Sequence, residues 1–212
     1  MMEKTMRSAF QMIGLGFLLS VLAAPGTAFG GEDTLGGKLK AAFENGDFPG
    51  LHGVYAELKG EPIAEVYFKG EDERWGDPLG ERLLTSTDLH DLRSVTKSIV
   101  GLLYGIALGE GKVPAPDAGL LKQFPQYADL DKDPRRLAIL VRDVLSMKMG
   151  TEWNEQLPYT DPKNSEIAME RAKDRYRFVL DRPMTEEPGT SWTYNGGATA
   201  IAAKLIADGT GM

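Results

Sequence analysis

His90-Asp91-Leu92-Arg93-Ser94-Val95-Thr96-Lys97-Ser98-Ile99-Val100-Gly101-Leu102-Leu103-Tyr104-Gly105-Ile106-Ala107-Leu108 decides how this chain is read. Apolar residues at Val95, Ile99, Leu102, Leu103 and Ile106 follow the 3.6-residue period of a helix. Short polar residues from Asp91 to Ser94 can cap its first turn, and Gly109 and Gly111 end it. Ser94 and Lys97 stand three apart, so they share one helix face near the positive end of the dipole. A serine hydroxyl is a weak nucleophile until a neighbouring base takes its proton. A lysine becomes that base only when burial or nearby positive charge lowers its pKa. A lone Ser-x-x-Lys is common by chance, and its ordinary reading is a helix cap beside a solvated lysine. Here it opens an unusually apolar helix, which points Ser94 toward packed structure.

A second segment raises the interest of the first. Pro188-Gly189-Thr190-Ser191-Trp192-Thr193-Tyr194-Asn195-Gly196-Gly197 begins with a turn signal and continues as a short extended run, Ser191 to Tyr194. Two glycines then permit a tight bend or a close backbone approach. Ile201, Leu205 and Ile206 fall at helical spacing, so a helix over Ala198 to Ala207 follows. A tyrosine between an extended segment and a helix can share a proton with Lys97. It can equally be a packing residue whose hydroxyl is satisfied.

Together "HDLRSVTKSIVGLLYG" and "PGTSWTYNGGATAIAAKLI" resemble the penicillin-recognising serine hydrolases, and more narrowly the class C β-lactamase-like group with its esterases and amide hydrolases. The resemblance runs over residues 50–212. It implies that Ser94 is the nucleophile, Lys97 its basic partner and Tyr194 the shared acid/base. It leaves Asn195 and Gly196 as the substrate-binding residues. The family's second motif is commonly Tyr-x-Asn, but here the third position is Gly196, which has no side-chain amide. An ester or linear amide is therefore expected over a lactam. The family's third motif, Lys or His, then Thr or Ser, then Gly, stands nowhere in the sequence. Lys148-Met149-Gly150 has the wrong middle residue and reads as the end of a helix over Val141 to Met149, with Gly150 as its cap. In such enzymes the strand bearing that motif supplies the second oxyanion donor. Loss of one donor costs on the order of a hundredfold in rate. A truncated and weakly active chain is the resulting expectation.

Composition sets the limits. The 212 residues are 42% hydrophobic and 26% charged, enough for a real core. A net charge of −7 argues against nucleic acid or anionic membranes as partners. There is no cysteine, and only His52 and His90 could serve as imidazole ligands, so no metal site or cofactor is expected. His90 precedes Ser94 by four residues, which leaves a Ser-His-Asp arrangement as the minor reading. Lys4 and Arg7, an apolar run from Ala9 to Ala24, and small residues at Ala28 and Gly30 describe a secretory signal over 1–30. The run is short for a spanning helix. A secreted or periplasmic protein is expected, with one incomplete hydrolase domain over 31–212 and no membrane insertion once the signal is cut.

Elsewhere the pattern predicts a helix over Thr34 to Glu44, then strands Leu51 to Leu58 and Pro62 to Lys69 joined at Lys59-Gly60-Glu61. Glu71 to Leu89 reads as a loop with Trp75 as an anchor, Pro114 to Pro134 as loop and turn, and Ser165 to Leu180 as one charged helix. Strands first and helices after give an α+β fold, an antiparallel sheet flanked by a helical region, with C-terminal strands missing. An incomplete sheet of that kind is expected to aggregate. The function so expected is acyl-enzyme hydrolysis of a small ester or amide. The alternatives are a non-catalytic ligand- or peptidoglycan-binding relative and a broken reading frame. Oligomeric state is left open.

Overall fold

A computed structural model describes residues 31–74 and 77–212. The expected signal over 1–30 and the anchor Trp75 lie outside the described residues. The described residues divide into two compact units, a sheet unit of residues 31–73 and 77–88 and a helical unit of residues 89–212.

In the sheet unit, α1 spans Leu35–Glu44 and starts where Thr34 accepts the Gly37 N–H on its hydroxyl. Strand β1, Gly53–Leu58, pairs antiparallel with β2, Glu61–Tyr67, in the register Val54 to Val66 and Ala56 to Ala64. Lys59 and Gly60 both take positive φ, the geometry of a tight hairpin turn that matches strand twist. Ala64, Val66 and Phe68 are buried, and Phe68 stacks on Phe43 of α1 at 4.3 Å. Two more strands, β3 (Lys69–Arg74) and β4 (Asp77–Leu83), form a second two-stranded sheet where the sequence reads as loop. Charged residues hide the alternation that marks a strand. Backbone hydrogen bonds pair the two strands, and ion pairs cross between them from Lys69 to Glu81 and from Arg82 to Asp72.

The helical unit is built on α2, Val95–Gly109, packed against α7, Gly196–Thr210. Short elements close around them: α3 (Pro134–Ala138), α4 (Val141–Leu145), α5 (Ser165–Arg171) and α6 (Arg175–Leu180), with 3₁₀ turns at Leu121–Gln123 and Pro125–Leu130. Tyr104, Phe124, Leu120, Ile139, Val141, Val179 and Ile201 are almost wholly buried. Each large apolar side chain buried this way contributes roughly 1.5–3 kcal/mol. Helix α2 gives this core Tyr104 and Ala107, while Val95, Leu102 and Ile106 on its outer face are exposed.

Two expected boundaries change. The single helix over Ser165 to Leu180 is two, because Asp174 turns its carboxylate onto the N–H groups of Tyr176 and Arg177 and starts α6 afresh. The helix over Val141 to Met149 stops at Leu145, and Met147 has already left it with φ +55°. Gly150 is therefore no cap. Its carbonyl accepts the N–H groups of Thr185 and Glu186, and a Cβ on it would lie 2.5 Å from the Glu186 carbonyl oxygen. Among the described residues no helix is long and apolar enough to cross a membrane.

Candidate active site

Ser94 directly precedes α2 without a side-chain capping bond. The residue before it, Arg93, is in the left-handed region at φ +46°, strained for a residue with a Cβ. Asp91 braces it by an ion pair of 2.9 Å to the guanidinium. This turn leaves Ser94 exposed at the mouth of a cleft rather than packed inward as its apolar helix suggests. Lys97, one turn on and half-buried, approaches Ser94 Oγ to 3.4 Å.

Tyr194 arrives from the other end of the unit. The segment carrying it is laced to residues 147–152 by backbone bonds: Thr193 N to the Met147 carbonyl, Gly189 N to that of Lys148, Thr185 N to that of Gly150, and Glu152 N to that of Pro183. At its end Asn195 caps α7, its side-chain oxygen accepting the Ala198 N–H at 2.9 Å. So anchored, Tyr194 places its hydroxyl 2.6 Å from Ser94 Oγ. The Lys97 ammonium stands 4.8 Å from the centre of the Tyr194 ring. Serine, lysine and tyrosine thus meet at one hydroxyl, from sequence positions a hundred residues apart.

The remaining expected residues fall differently. Asn195 is buried, and its side-chain oxygen is committed to the helix cap. Gly196 does line it. The cleft, about 290 Å³, is bounded by Ser94, Lys97, Tyr159, Glu166, Gly196 and Thr199. His90 turns its Nδ1 toward the Asp91 carbonyl at 3.2 Å, while the close partners of Ser94 Oγ are Tyr194 and Lys97.

Three residues of this site escaped the sequence reading. Glu155 receives the Trp153 indole N–H at 2.6 Å and the Gly196 backbone N–H on the same oxygen. Glu166, in the first turn of α5, reaches the cleft floor. Burial, reinforced by the Glu155 charge, holds its carboxyl above the usual carboxylate range, with Lys97 pulling the other way. Tyr159 is pushed up by burial and by the nearby charges of Glu166 and Glu155. No motif announces these three, because their meeting depends on how the 150–164 loop folds over α7.

The family model for β-lactamase matches residues 41–212. A solved structure from Bacillus anthracis described as a 6-aminohexanoate-dimer hydrolase is similar at a TM-score of 0.55 and 18% identity, over 82% of this chain. The chain spans 43% of that structure's length. At that identity the likeness establishes the α+β fold. No curated protein matches the chain. With four-fifths of its residues inside the family match, this chain belongs to the β-lactamase family of hydrolases.

Proposed function

We propose that this chain carries the nucleophile and proton-transfer residues of a serine hydrolase acting through an acyl-enzyme on a small ester or linear amide. The observation that carries the reading is the convergence of the Tyr194 hydroxyl, at 2.6 Å, and the Lys97 amine, at 3.4 Å, on Ser94 Oγ. Both distances allow proton exchange with the nucleophile. Ser94 Oγ attacks the substrate carbonyl carbon while its proton passes to the Tyr194–Lys97 pair. Collapse of the tetrahedral adduct breaks the ester or amide bond, and the pair returns the proton to the departing alcohol or amine. Water then attacks the Ser94 acyl ester and gives up a proton to the same pair, and as the acyl–Oγ bond breaks and the acid departs, the pair returns that proton to Ser94 Oγ.

Gly196 supports the choice of substrate, since the cleft wall there offers backbone and no side-chain amide. The Bacillus anthracis structure, described as a 6-aminohexanoate-dimer hydrolase, points the same way. The sequence holds no Lys/His-Thr/Ser-Gly triplet, so turnover by these 212 residues alone is expected to be slow. Export to the periplasm or beyond belongs to the same proposal and rests on the pattern of residues 1–30. An acylating or phosphonylating probe with mass-spectrometric mapping tests the central claim. Modification of Ser94 supports it, and modification that survives Ser94→Ala refutes it.

A further inference from the structure

Glu155 and Glu166 meet beneath the cleft in an arrangement that the proton-transfer scheme above does not use. A Cβ placed on Gly196 would lie 3.0 Å from Oε1 of Glu155 and 3.0 Å from Oε1 of Glu166, so the two carboxyls close on one point of the backbone. Any side chain at 196 would displace them. Glu155 Oε1 is engaged by Trp153 and by the Gly196 N–H, two residues from Tyr194. Its other oxygen, Oε2, is buried and accepts no bond from a fixed donor among the described residues. A buried acceptor left unmatched is costly, and the Glu166 carboxyl is the neighbouring group that closes on the same point of the backbone.

We propose that Glu155 and Glu166 share one proton and act as a positioning pair for Tyr194, with Glu155 clamping the entrance of α7 and Glu166 completing the clamp by donating to it. The inference rests on the serine-hydrolase reading for its kinetic consequence, though not for the pair itself. Two carboxylates this close cannot both ionise without repulsion. Loss of the shared proton sets like charges against each other under Gly196 and slackens the segment that holds Tyr194 on Ser94. The groups facing Glu166 are Glu155 and Tyr159 from the 150–164 loop, Lys97 from α2 and Glu170 one turn along α5, while α7 contributes the uncharged Gly196 and Thr199. Glu170 is engaged by Arg175 at 3.0 Å. Burial and the Glu155 charge hold the Glu166 carboxyl above the usual carboxylate range, with Lys97 pulling the other way.

The test uses the full chain with Glu166→Gln, which keeps a donor that cannot ionise, and Glu166→Ala, which removes it. Labelling of Ser94 by a phosphonate probe is followed across pH. The parent is expected to lose rate on an alkaline limb that Glu166→Gln lacks. Glu166→Ala is expected to be slower than the parent by about tenfold below that limb, the scale of one lost hydrogen bond, with the gap closing along it. An alkaline limb that persists unchanged in Glu166→Gln overturns the proposal. Infrared difference spectra supply a readout independent of activity. On the acid side of that limb, above the usual carboxylate range, the parent is expected to show the C=O stretch of a protonated carboxyl that Glu166→Gln removes. A parent without that band lacks the shared proton, and the proposal fails even where Ser94 reacts. If the band is present and Ser94 is unreactive, the pair stands and the hydrolase reading falls.

Discussion

The Tyr194 hydroxyl rests 2.6 Å from Ser94 Oγ, and Ser94 in turn lies within 3.4 Å of the Lys97 amine. Nothing local to either serine or tyrosine enforces this. It follows from α2 packing on α7 and from the backbone ladder between 147–152 and 183–193 that fixes how the chain enters α7.

From that contact comes an order of effects. Ser94→Ala should abolish phosphonate labelling. Lys97→Ala and Tyr194→Phe should each slow it by roughly 10²–10³-fold, as expected when a proton-transfer partner is removed from a nucleophile. His90→Ala should change the rate little, its ring being turned toward the Asp91 carbonyl. Second-order labelling rates measure all four, and a collapse on His90→Ala would restore the histidine triad.

Asn195 separates a structural duty from a binding one. Its side chain caps α7 through the Ala198 N–H and is buried. Asn195→Ala should cost about 1 kcal/mol of stability, the usual worth of an N-cap, and Asn195→Asp should recover most of it. Thermal melts give the stability. Preference among substrates, as relative kcat/KM, should stay as in the parent, whereas a selective loss for one substrate class would return Asn195 to the cleft wall.

Much of this fold is legible in sequence because its signals are local. The 3.6-residue period of Val95, Ile99, Leu102 and Ile106 gives α2, and Lys59-Gly60 gives the hairpin. The β3–β4 pair is illegible because Lys69-Gly70-Glu71-Asp72-Glu73-Arg74 is charged at every position but Gly70 and carries no apolar alternation. Ser94 and Lys97 declare themselves by spacing, and Tyr194 by its motif. Glu155 and Glu166 do not, since a carboxylate in a polar loop or on a charged helix looks solvated until the fold half-buries it. Asn195 looks like a ligand in sequence, but the free N–H groups at the start of α7 claim its side chain first.

Substrate preference follows from Gly196. With no side-chain amide at this position, and with two carboxyls filling the space where one would project, the cleft lacks a fixed amide partner for a lactam. A longer form carrying this site should therefore hydrolyse short-chain esters or linear amides with higher kcat/KM than penicillins or cephalosporins. Faster turnover of the lactams would refute the role given to position 196.

The pH dependence of stability has a definite sign at Glu166. Burial and the neighbouring Glu155 raise its carboxyl above the usual range in the folded chain. The folded state therefore binds that proton more tightly than the unfolded state, whose glutamates titrate near about pH 4.3. Below that pH Glu166 is protonated in both states and its contribution is fully present. As pH rises toward the folded value, the unfolded chain releases the proton first and the contribution is lost. Gln does not titrate, so Glu166→Gln should melt close to the parent in acid, progressively above it as pH rises from the unfolded glutamate range toward the folded value of Glu166, and by a constant margin past it. Melting temperatures of the two chains, taken in steps from acid to alkaline pH, test this directly. A gap that stays flat across the series would mean that Glu166 ionises as freely in the folded protein as in water, and that the cleft floor is an ordinary solvated carboxylate.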